Sequence, residues 1–246
     1  MKQNFTIIEL LIVVSIIAII ASLLLPALNA ARAKAQTISC SGNMKQIGTI
    51  LMQYSMENND RQIPVAMKTE SETIWNFPGK YLYETMKVSY KVLFCPAMNE
   101  REAEFTTEEK IRNAITFKME YGYNEMINVD VADTAVITEA SYYSPKSGRI
   151  KSPTLRVQYI DTYYNDSASS FKKTSGCYRI NPNIYAGKDY GRPASRHSER
   201  ANILFLDGHV GQTPNFLSET FQTHYYFRIT WTNAEADIRW FGYRPK

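Results

Sequence analysis

The stretch that decides the fold of this chain is FTIIELLIVVSIIAII, which runs from Phe5 to Ile20. Its apolar character continues to Leu28, which gives 24 residues, and a helix needs about 20 to cross a bilayer. One carboxylate, Glu9, lies near the start of the run, and a charge inside hydrocarbon costs roughly 2.5–3.5 kcal/mol. We therefore expect a helix that spans a membrane over about residues 5–28, in which Glu9 finds a partner outside its own helix.

Two ordinary kinds of N-terminal segment fit this run less well. A secretory signal peptide would start at Lys2 and be cut after Ala31-Arg32-Ala33, but the apolar core is long and begins with an acidic residue. A plain signal anchor is oriented by the basic residues that flank it. Lys2 precedes the run, whereas Arg32, Lys34 and Lys45 follow it. That count would place the rest of the chain in the cytoplasm, so composition alone leaves the orientation open.

The helical pattern continues beyond the apolar run. No proline occurs from Ala27 to Asn59, and apolar side chains recur there at helical spacing. These side chains are Leu28, Ala31, Ala35, Ile38, Ile47, Leu51 and Tyr54. We expect one helix over residues 5–59, on the order of 80 Å long, which ends near Asn58-Asn59-Asp60 and packs its apolar stripe on a globular domain.

The remainder of the chain, residues 60–246, reads as one domain in which short apolar runs alternate with turn residues. The candidate strands are residues 91–94, 136–138, 156–160 and 202–206. A short helix is predicted over residues 106–113, with Thr106 or Thr107 as its N-cap. The predicted fold class is α+β, with one long N-terminal helix packed on a mainly antiparallel sheet.

A hairpin is predicted around Asp207-Gly208, which follows the apolar run Ile203–Leu206 and is followed by His209 and the apolar Val210. Asp-Gly between apolar residues favours a type I′ turn, in which both central residues have positive φ. His197 stands upstream, with nine residues between it and Asp207.

Charge and motif content exclude several classes of function. The chain has 28 basic and 24 acidic residues and no basic block, so no nucleic-acid partner is indicated. Local signatures of metalloproteases, serine hydrolases and phosphate-binding loops do not occur. We therefore expect a protein that is not an enzyme.

The three cysteines are Cys40, Cys95 and Cys177, and they show neither C-x-x-C nor zinc-finger spacing. If the domain lies outside the cytoplasm, one disulfide can form, and the pair that we prefer is Cys40 with Cys95. The alternative is three buried thiols that behave as small apolar side chains.

The N-terminal run, with Phe-Thr-x-x-Glu intact, resembles the signature of type IV pilins and type II secretion pseudopilins. The resemblance implies a leader of residues 1–4, cut between Asn4 and Phe5 by a prepilin peptidase, followed by N-methylation of Phe5. It also implies that Glu9 meets the N-terminal amine of a neighbouring subunit during assembly. Asn4 stands where the family usually has glycine.

Further motifs are similar to those of the prepilin-associated domain named for its H-X9-DG pattern. They are Cys40–Gly48, Phe94-Cys95-Pro96, Tyr121–Asn124, and His197 with Asp207-Gly208. The resemblance implies a pilin-like structural subunit of the bacterial inner membrane, with its N-terminus in the cytoplasm and residues 60–246 outside. Its implied partners are itself and other pilin-like subunits, prepilin peptidase, the inner-membrane assembly machinery and membrane lipid.

The histidines and aspartates of the domain allow a competing interpretation. A metal site would use His197 and Asp207 with His209 or Asp161 as ligands. The metal would be calcium, since some pseudopilins bind it through oxygen ligands. The alternative, which needs no cofactor, is that Asp207-Gly208 makes the turn and His197 hydrogen-bonds the hairpin backbone. The competing class of function is a membrane-anchored extracytoplasmic protein that binds a ligand or metal, or an enzyme, and retains only the pilin N-terminus.

Overall fold

In the described part of this α+β chain, a long N-terminal helix packs on a mainly antiparallel sheet. The computed structural model describes residues 6–68, 73–74, 77–98, 105–124, 147, 153–155, 157–164, 176–177, 179–180, 191–194, 196–198 and 200–213.

Helix α1 spans Ile7–Glu57 without interruption, through Pro26, and its 51 residues correspond to about 77 Å. It begins with a capping box, in which the Thr6 hydroxyl accepts from the Glu9 N–H and the Glu9 carboxylate accepts from the Thr6 N–H. It ends at Asn58, which is followed by two residues at positive φ, Asn59 and Asp60. The predicted long helix is therefore confirmed, with its end where the Asn-Asn-Asp run indicated.

The two halves of α1 have different surroundings. Every side chain from residue 6 to residue 35 is exposed. Beyond that point one face is buried, at positions three or four apart. Its residues are Thr37, Cys40, Met44, Ile47, Gly48, Leu51 and Ser55. Of the helices that the structure describes, α1 is long and apolar enough to cross a membrane.

The predicted apolar stripe of α1 is only partly correct. Ile47 and Leu51 are buried, but Ile38 is 62% exposed, and the residues predicted before it lie in the exposed half. One residue along a helix turns the side chain by about 100°, so Ile38 points away from the face that holds Thr37. Gly48 lies on the same face as Thr37, and its lack of a side chain lets Leu204 of the sheet approach the helix closely. This close packing favours burial of the Thr37 face rather than the Ile38 face.

Among the described residues the main sheet has six strands, in the order β5-β3-β4-β7-β8, with β6 paired to the end of β4. All its pairs are antiparallel except β3 with β5. Its strands are β3 (Tyr121–Asn124), β4 (Val157–Tyr164), β5 (Arg179–Ile180), β6 (Gly191–Pro193), β7 (Asn202–Phe205) and β8 (Val210–Gln212). A separate pair is formed by β1 (Met67–Lys68) and β2 (Thr73–Ile74). The strands predicted at 156–160 and 202–206 correspond to β4 and β7, and the one at 136–138 lies outside the described residues.

The shorter helices follow α1 in sequence, and all but one of those described precede β3. They are α2 (Phe77–Lys80), a π-helix (Tyr81–Thr85), α3 (Tyr90–Leu93), α4 (Glu108–Phe117) and, before β4, a 3-10 helix (Pro153–Leu155). The Thr107 hydroxyl caps α4 by accepting from the Lys110 N–H, which confirms the predicted helix there. The strand predicted at 91–94 is wrong, because residues 91–93 belong to the helical turn α3, in which Leu93 is buried, and only Phe94 is extended. A four-residue apolar run does not distinguish a strand from a helical turn, and packing against α1 decides here.

The β7–β8 hairpin occurs where the sequence placed it, but its turn differs from the prediction. Four residues, 206–209, lie between the two strands. Because Phe205 N donates to His209 O at 2.9 Å, this hydrogen bond closes a loop of three residues, Leu206–Gly208. Gly208 has φ +82°, whereas Asp207 is not at positive φ, so the turn is not type I′. A three-residue hairpin needs the left-handed conformation only at its last position, which suits glycine. Lys45 Nζ donates to Gly208 O at 2.7 Å and links this turn to α1.

The hydrophobic core lies between the second half of α1 and the sheet. Fully buried side chains from α1 and from β3, β4 and β7 form a large part of it. They include Met44, Ile47, Leu51, Tyr121, Tyr123, Tyr159 and Leu204.

Candidate functional site

Four buried side chains converge at one end of this core. Their ligand atoms all lie within 4.8 Å of one another. They are Cys40 (0% exposed), Cys95 (3%), Asp161 (0%) and His197 (3%). We refer to these four residues as the Cys-Asp-His cluster.

Each member of the cluster comes from a different part of the fold. Cys40 lies on the packed face of α1, and Cys95 lies just after α3. Asp161 is in β4, the central strand, whose residues 157–162 are buried on both faces. His197 lies in the turn before β7, where its backbone pairs with that of Arg200.

Three interatomic distances describe the inside of the cluster. His197 Nε2 lies 3.4 Å from Cys95 Sγ and 3.4 Å from Asp161 Oδ2. Cys40 Sγ donates to Asp161 Oδ1, also at 3.4 Å. The His197 ring and the Asp161 carboxylate therefore each contact a thiol as well as each other.

Backbone and hydroxyl groups hold these side chains in place. Asp161 Oδ2 accepts from the Asn202 N–H at 2.7 Å, across the β4–β7 pair. Tyr121 donates its hydroxyl to Cys40 Sγ at 3.4 Å. On the other side of the His197 ring, Nδ1 lies 3.4 Å from Thr37 Oγ1.

Burial and mutual contact shift the pKa of each member. Burial, together with the negative charge of Cys95, raises the pKa of Asp161 to about 7. The hydrogen bond from Cys40, with help from His197, lowers the pKa of Cys95 to about 4. Burial raises the pKa of Cys40 far above its usual value. Burial lowers the pKa of His197, but the hydrogen bond with Cys95 and the charge of Asp161 outweigh it, so the net shift is upward.

The shifts of Cys95 and His197 favour the charged form of each side chain, whereas burial favours the protonated form of Cys40. Cysteine, histidine and aspartate also form nucleophilic triads in enzymes. Cys95 is buried, however, and a substrate cannot reach it in this conformation. Two reactions remain possible for the enclosed cluster. Its two thiols can be oxidised to a disulfide, or its side chains can bind a small ion.

The structure brings together two of the four metal ligands that the sequence suggested, Asp161 and His197. The other two, Asp207 and His209, lie on the β7–β8 turn, where His209 Nδ1 and Asp207 Oδ1 are 2.5 Å apart. The His209 ring also stacks on Phe205, with ring centroids 4.2 Å apart. Asp207 and His209 thus pair with each other, away from the cluster.

The structure also places Cys40 and Cys95, the preferred disulfide pair, beside each other, but as thiols. The disulfide stays a prediction. His197 does not hydrogen-bond the hairpin backbone as one alternative expected, because its ring faces Thr37, Cys95 and Asp161. Sequence reasoning missed the combination of cysteines with Asp161 and His197, since 121 residues separate Cys40 from Asp161 and 102 separate Cys95 from His197. No local spacing signals such a set.

The N-terminal site residues are only partly described. Glu9 is the acidic member of the capping box with Thr6 and is exposed. Asn4 and Phe5, the predicted cleavage and methylation residues, lie outside the described residues.

The chain matches no protein-family model, no curated protein and no solved structure. Its function therefore has to be inferred from its own residues and their arrangement.

Proposed function

We propose that this protein is a pilin-like or pseudopilin-like structural subunit. In this proposal prepilin peptidase cuts between Asn4 and Phe5, Phe5 is N-methylated, and α1 assembles the subunit into a type II secretion or type IV pilus-like filament. The supporting observation is the division of α1 into a second half that packs on the domain and a first half, residues 7–35, whose side chains are all exposed.

The exposed half of α1 needs a partner. Fifteen large apolar side chains between Ile7 and Leu28 are exposed, and burying each one is worth about 1.5–3 kcal/mol. Soluble monomers rarely expose apolar patches of such size. Lipid before assembly and the helices of other subunits after assembly would each cover this surface.

Glu9 has a role in this proposal that a plain membrane anchor does not give it. Its carboxylate accepts hydrogen bonds from the Thr6 N–H at 2.8 Å and from the Thr6 hydroxyl at 2.7 Å, and both go to Oε2. Among the described residues, Oε1 has no hydrogen bond, so it is free to meet the Phe5 amine of a neighbouring subunit. Pairing two charges that are each costly in lipid would set the axial register of the filament.

The proposal includes a location and partners. The helix would cross the bacterial inner membrane once, with its N-terminus in the cytoplasm and residues 60–246 outside. Copies of this chain, other pilin-like subunits, prepilin peptidase, the inner-membrane assembly machinery and lipid would be its partners.

Mass spectrometry of the N-terminus tests the proposal directly. The protein is isolated from membranes of cells that contain an active prepilin peptidase, and from matched cells in which that peptidase is inactive. We expect N-methyl-Phe5 as the N-terminal residue only in protein from cells with the active peptidase. Asn4→Gly, which restores the family's usual residue, should be processed at least as completely. An N-terminus at Met1 in both, or a start after Ala33, would overturn the proposal.

A second candidate function is a membrane-anchored extracytoplasmic protein that binds a metal, and the Cys-Asp-His cluster favours it. Unprocessed, unassembled protein that carries a metal would support this candidate over the filament subunit.

A further inference from the structure

We propose that the Cys-Asp-His cluster is a structural zinc site that holds one Zn²⁺ ion through all four of its side chains. This inference is independent of the filament proposal, since it concerns how the domain is held together.

The distances within the cluster fit a tetrahedral zinc ion. Zinc binds sulfur at about 2.3 Å, nitrogen at about 2.0–2.1 Å and carboxylate oxygen at about 2.0–2.2 Å, so its tetrahedral ligand atoms lie about 3.3–3.8 Å apart. The distances Cys95 Sγ–His197 Nε2, His197 Nε2–Asp161 Oδ2 and Cys40 Sγ–Asp161 Oδ1 are each 3.4 Å, and the last two involve different oxygens of the Asp161 carboxylate. The described geometry therefore needs only small side-chain shifts to surround the ion.

The His197 ring is oriented as a metal-binding histidine is. A ligating histidine usually donates its second ring N–H to a nearby oxygen, which fixes the tautomer and the ring plane. Thr37 Oγ1 donates to Ala33 O at 2.9 Å, so its lone pairs can accept from His197 Nδ1, 3.4 Å away. That leaves the lone pair of Nε2 directed into the cluster.

The donor set selects zinc over the calcium that the sequence suggested. Two thiolates, one imidazole and one carboxylate suit zinc in tetrahedral coordination. Calcium takes six to eight oxygen ligands, and this cluster offers a single carboxylate. Since all four ligands are protein side chains with little exposure, no position is left for a substrate, as is typical of structural rather than catalytic zinc.

The neighbouring charge also fits an occupied site. Two thiolates and a carboxylate around Zn²⁺ leave one net negative charge. Arg196 lies next to the cluster in sequence, and its positive charge acts on both Cys95 and Asp161. Its Nη2 donates to Thr162 O, whereas its buried Nη1 has no hydrogen-bond partner in the described part of the chain. A guanidinium in this position would balance the charge of the zinc complex.

A disulfide between Cys40 and Cys95 accounts for less of the cluster. It would use two side chains and leave the buried Asp161 and His197 beside each other and Arg196 without a bound ion, an arrangement that costs desolvation free energy. Zinc uses all four and connects α1, the segment after α3, β4 and the turn before β7. Its binding free energy would therefore contribute directly to folding, by tying the packed half of α1 to the sheet.

Measuring the zinc content of the full-length chain tests the proposed site. The chain is purified in detergent without chelators, loaded with Zn²⁺, freed of excess metal, and its zinc content is measured by plasma mass spectrometry. We expect about one zinc per chain. Cys95→Ser and His197→Gln should each lose most of it. The matched controls Cys177→Ser, the third buried cysteine, and His209→Gln, the exposed histidine, should keep it.

Cobalt substitution gives a second readout that does not depend on the folding of variants. Co²⁺ in the unmutated chain should show a thiolate charge-transfer band and the strong visible bands of tetrahedral coordination. Absence of zinc and of these bands in reduced, folded protein would overturn the proposal. So would a disulfide between Cys40 and Cys95 in protein isolated from its native membrane without reductant, found by alkylation and mass spectrometry.

Discussion

Thr37 Oγ1 lies 3.4 Å from His197 Nδ1, although 160 residues separate the two along the chain. The contact joins α1 to the turn before β7, and the Thr37 hydroxyl is itself anchored by its bond to Ala33 O. The long helix thus supplies one side chain to the zinc site that we propose, Cys40, and also the group that orients a second, His197.

Thr37→Val should weaken zinc binding without removing a ligand. Valine has nearly the shape of threonine but cannot accept from His197 Nδ1, and loss of such an outer contact typically costs 10–100-fold in metal affinity. Thr37→Ser keeps the hydroxyl and should bind like the unmutated chain. Competition against a chromophoric chelator measures the zinc affinity of both variants. Equal affinity of the valine and serine variants would show that this contact does not position the ring.

Two glycines of α1 should respond oppositely to the same substitution. Gly42 is exposed, and a Cβ there meets nothing within 4 Å, so Gly42→Ala should stabilise the chain by about 0.5–1 kcal/mol. At Gly48 a Cβ would lie 2.7 Å from Leu204 Cδ1, and Leu204 is fully buried. Overpacking of this kind costs about 1–3 kcal/mol, which exceeds the gain in helix propensity.

The difference between Gly42→Ala and Gly48→Ala is best measured by urea unfolding in detergent, followed by near-ultraviolet circular dichroism. We expect the midpoint to rise for Gly42→Ala and to fall for Gly48→Ala. A rise for both would mean that α1 does not approach β7 as closely as described.

Two buried tyrosines provide a second matched pair. Tyr123 and Tyr159 are both fully buried and pack edge to face, with ring centroids 5.0 Å apart. The Tyr123 hydroxyl donates to Ile63 O at 2.7 Å, whereas the Tyr159 hydroxyl has no hydrogen-bond partner among the described residues. Tyr123→Phe leaves a buried carbonyl without its donor and should cost about 1–3 kcal/mol.

Tyr159→Phe removes only a buried hydroxyl without a described partner, so its free energy of unfolding should be unchanged or slightly higher. The same urea unfolding measurement compares the two variants. If Tyr159→Phe destabilised the chain as much as Tyr123→Phe, its hydroxyl would have a partner among residues outside the described ones.

Short sequence patterns correctly predicted those elements whose position depends on interactions between residues close together in the chain. The apolar run and the Asn-Asn-Asp stop located α1, and the Thr107 cap located α4, because each depends on neighbours within one helical turn. The Asp-Gly pair located the β7–β8 hairpin. It did not give the turn type, because the strand pairing of Phe205 with His209 fixes a three-residue loop.

The candidate site depends on contacts that no local pattern contains. Cys40 faces the cluster only because the face of α1 that carries Thr37, rather than the one that carries Ile38, packs on the sheet. Asp161 reaches it through the register of β4 against β7. A single sequence shows the residue types but not this register. It therefore suggested Asp161 and His197 as ligands but did not group them with Cys40 and Cys95.

The role of Glu9 in assembly can be separated from its role as a helix cap. The capping box accounts for Glu9 within one chain, and glutamine at the same position can form that box without a charge. Glu9→Gln should therefore insert and be processed normally but yield few filaments, because it cannot pair with the amine of a neighbour. Thr6→Ala should lose the cap, which is worth about 0.5–2 kcal/mol, and still assemble.

Sheared-filament yield, with membrane content of the same variants as the control, compares Glu9→Gln, Glu9→Leu and Thr6→Ala. We expect both Glu9 variants to reach the membrane in normal amounts, since each removes a charge that is costly in lipid. Both should then fail at assembly, whereas Thr6→Ala should not. Filaments from Glu9→Gln at the normal yield, together with a defect in Thr6→Ala, would assign Glu9 to the helix cap alone and remove the charge pair from the assembly mechanism.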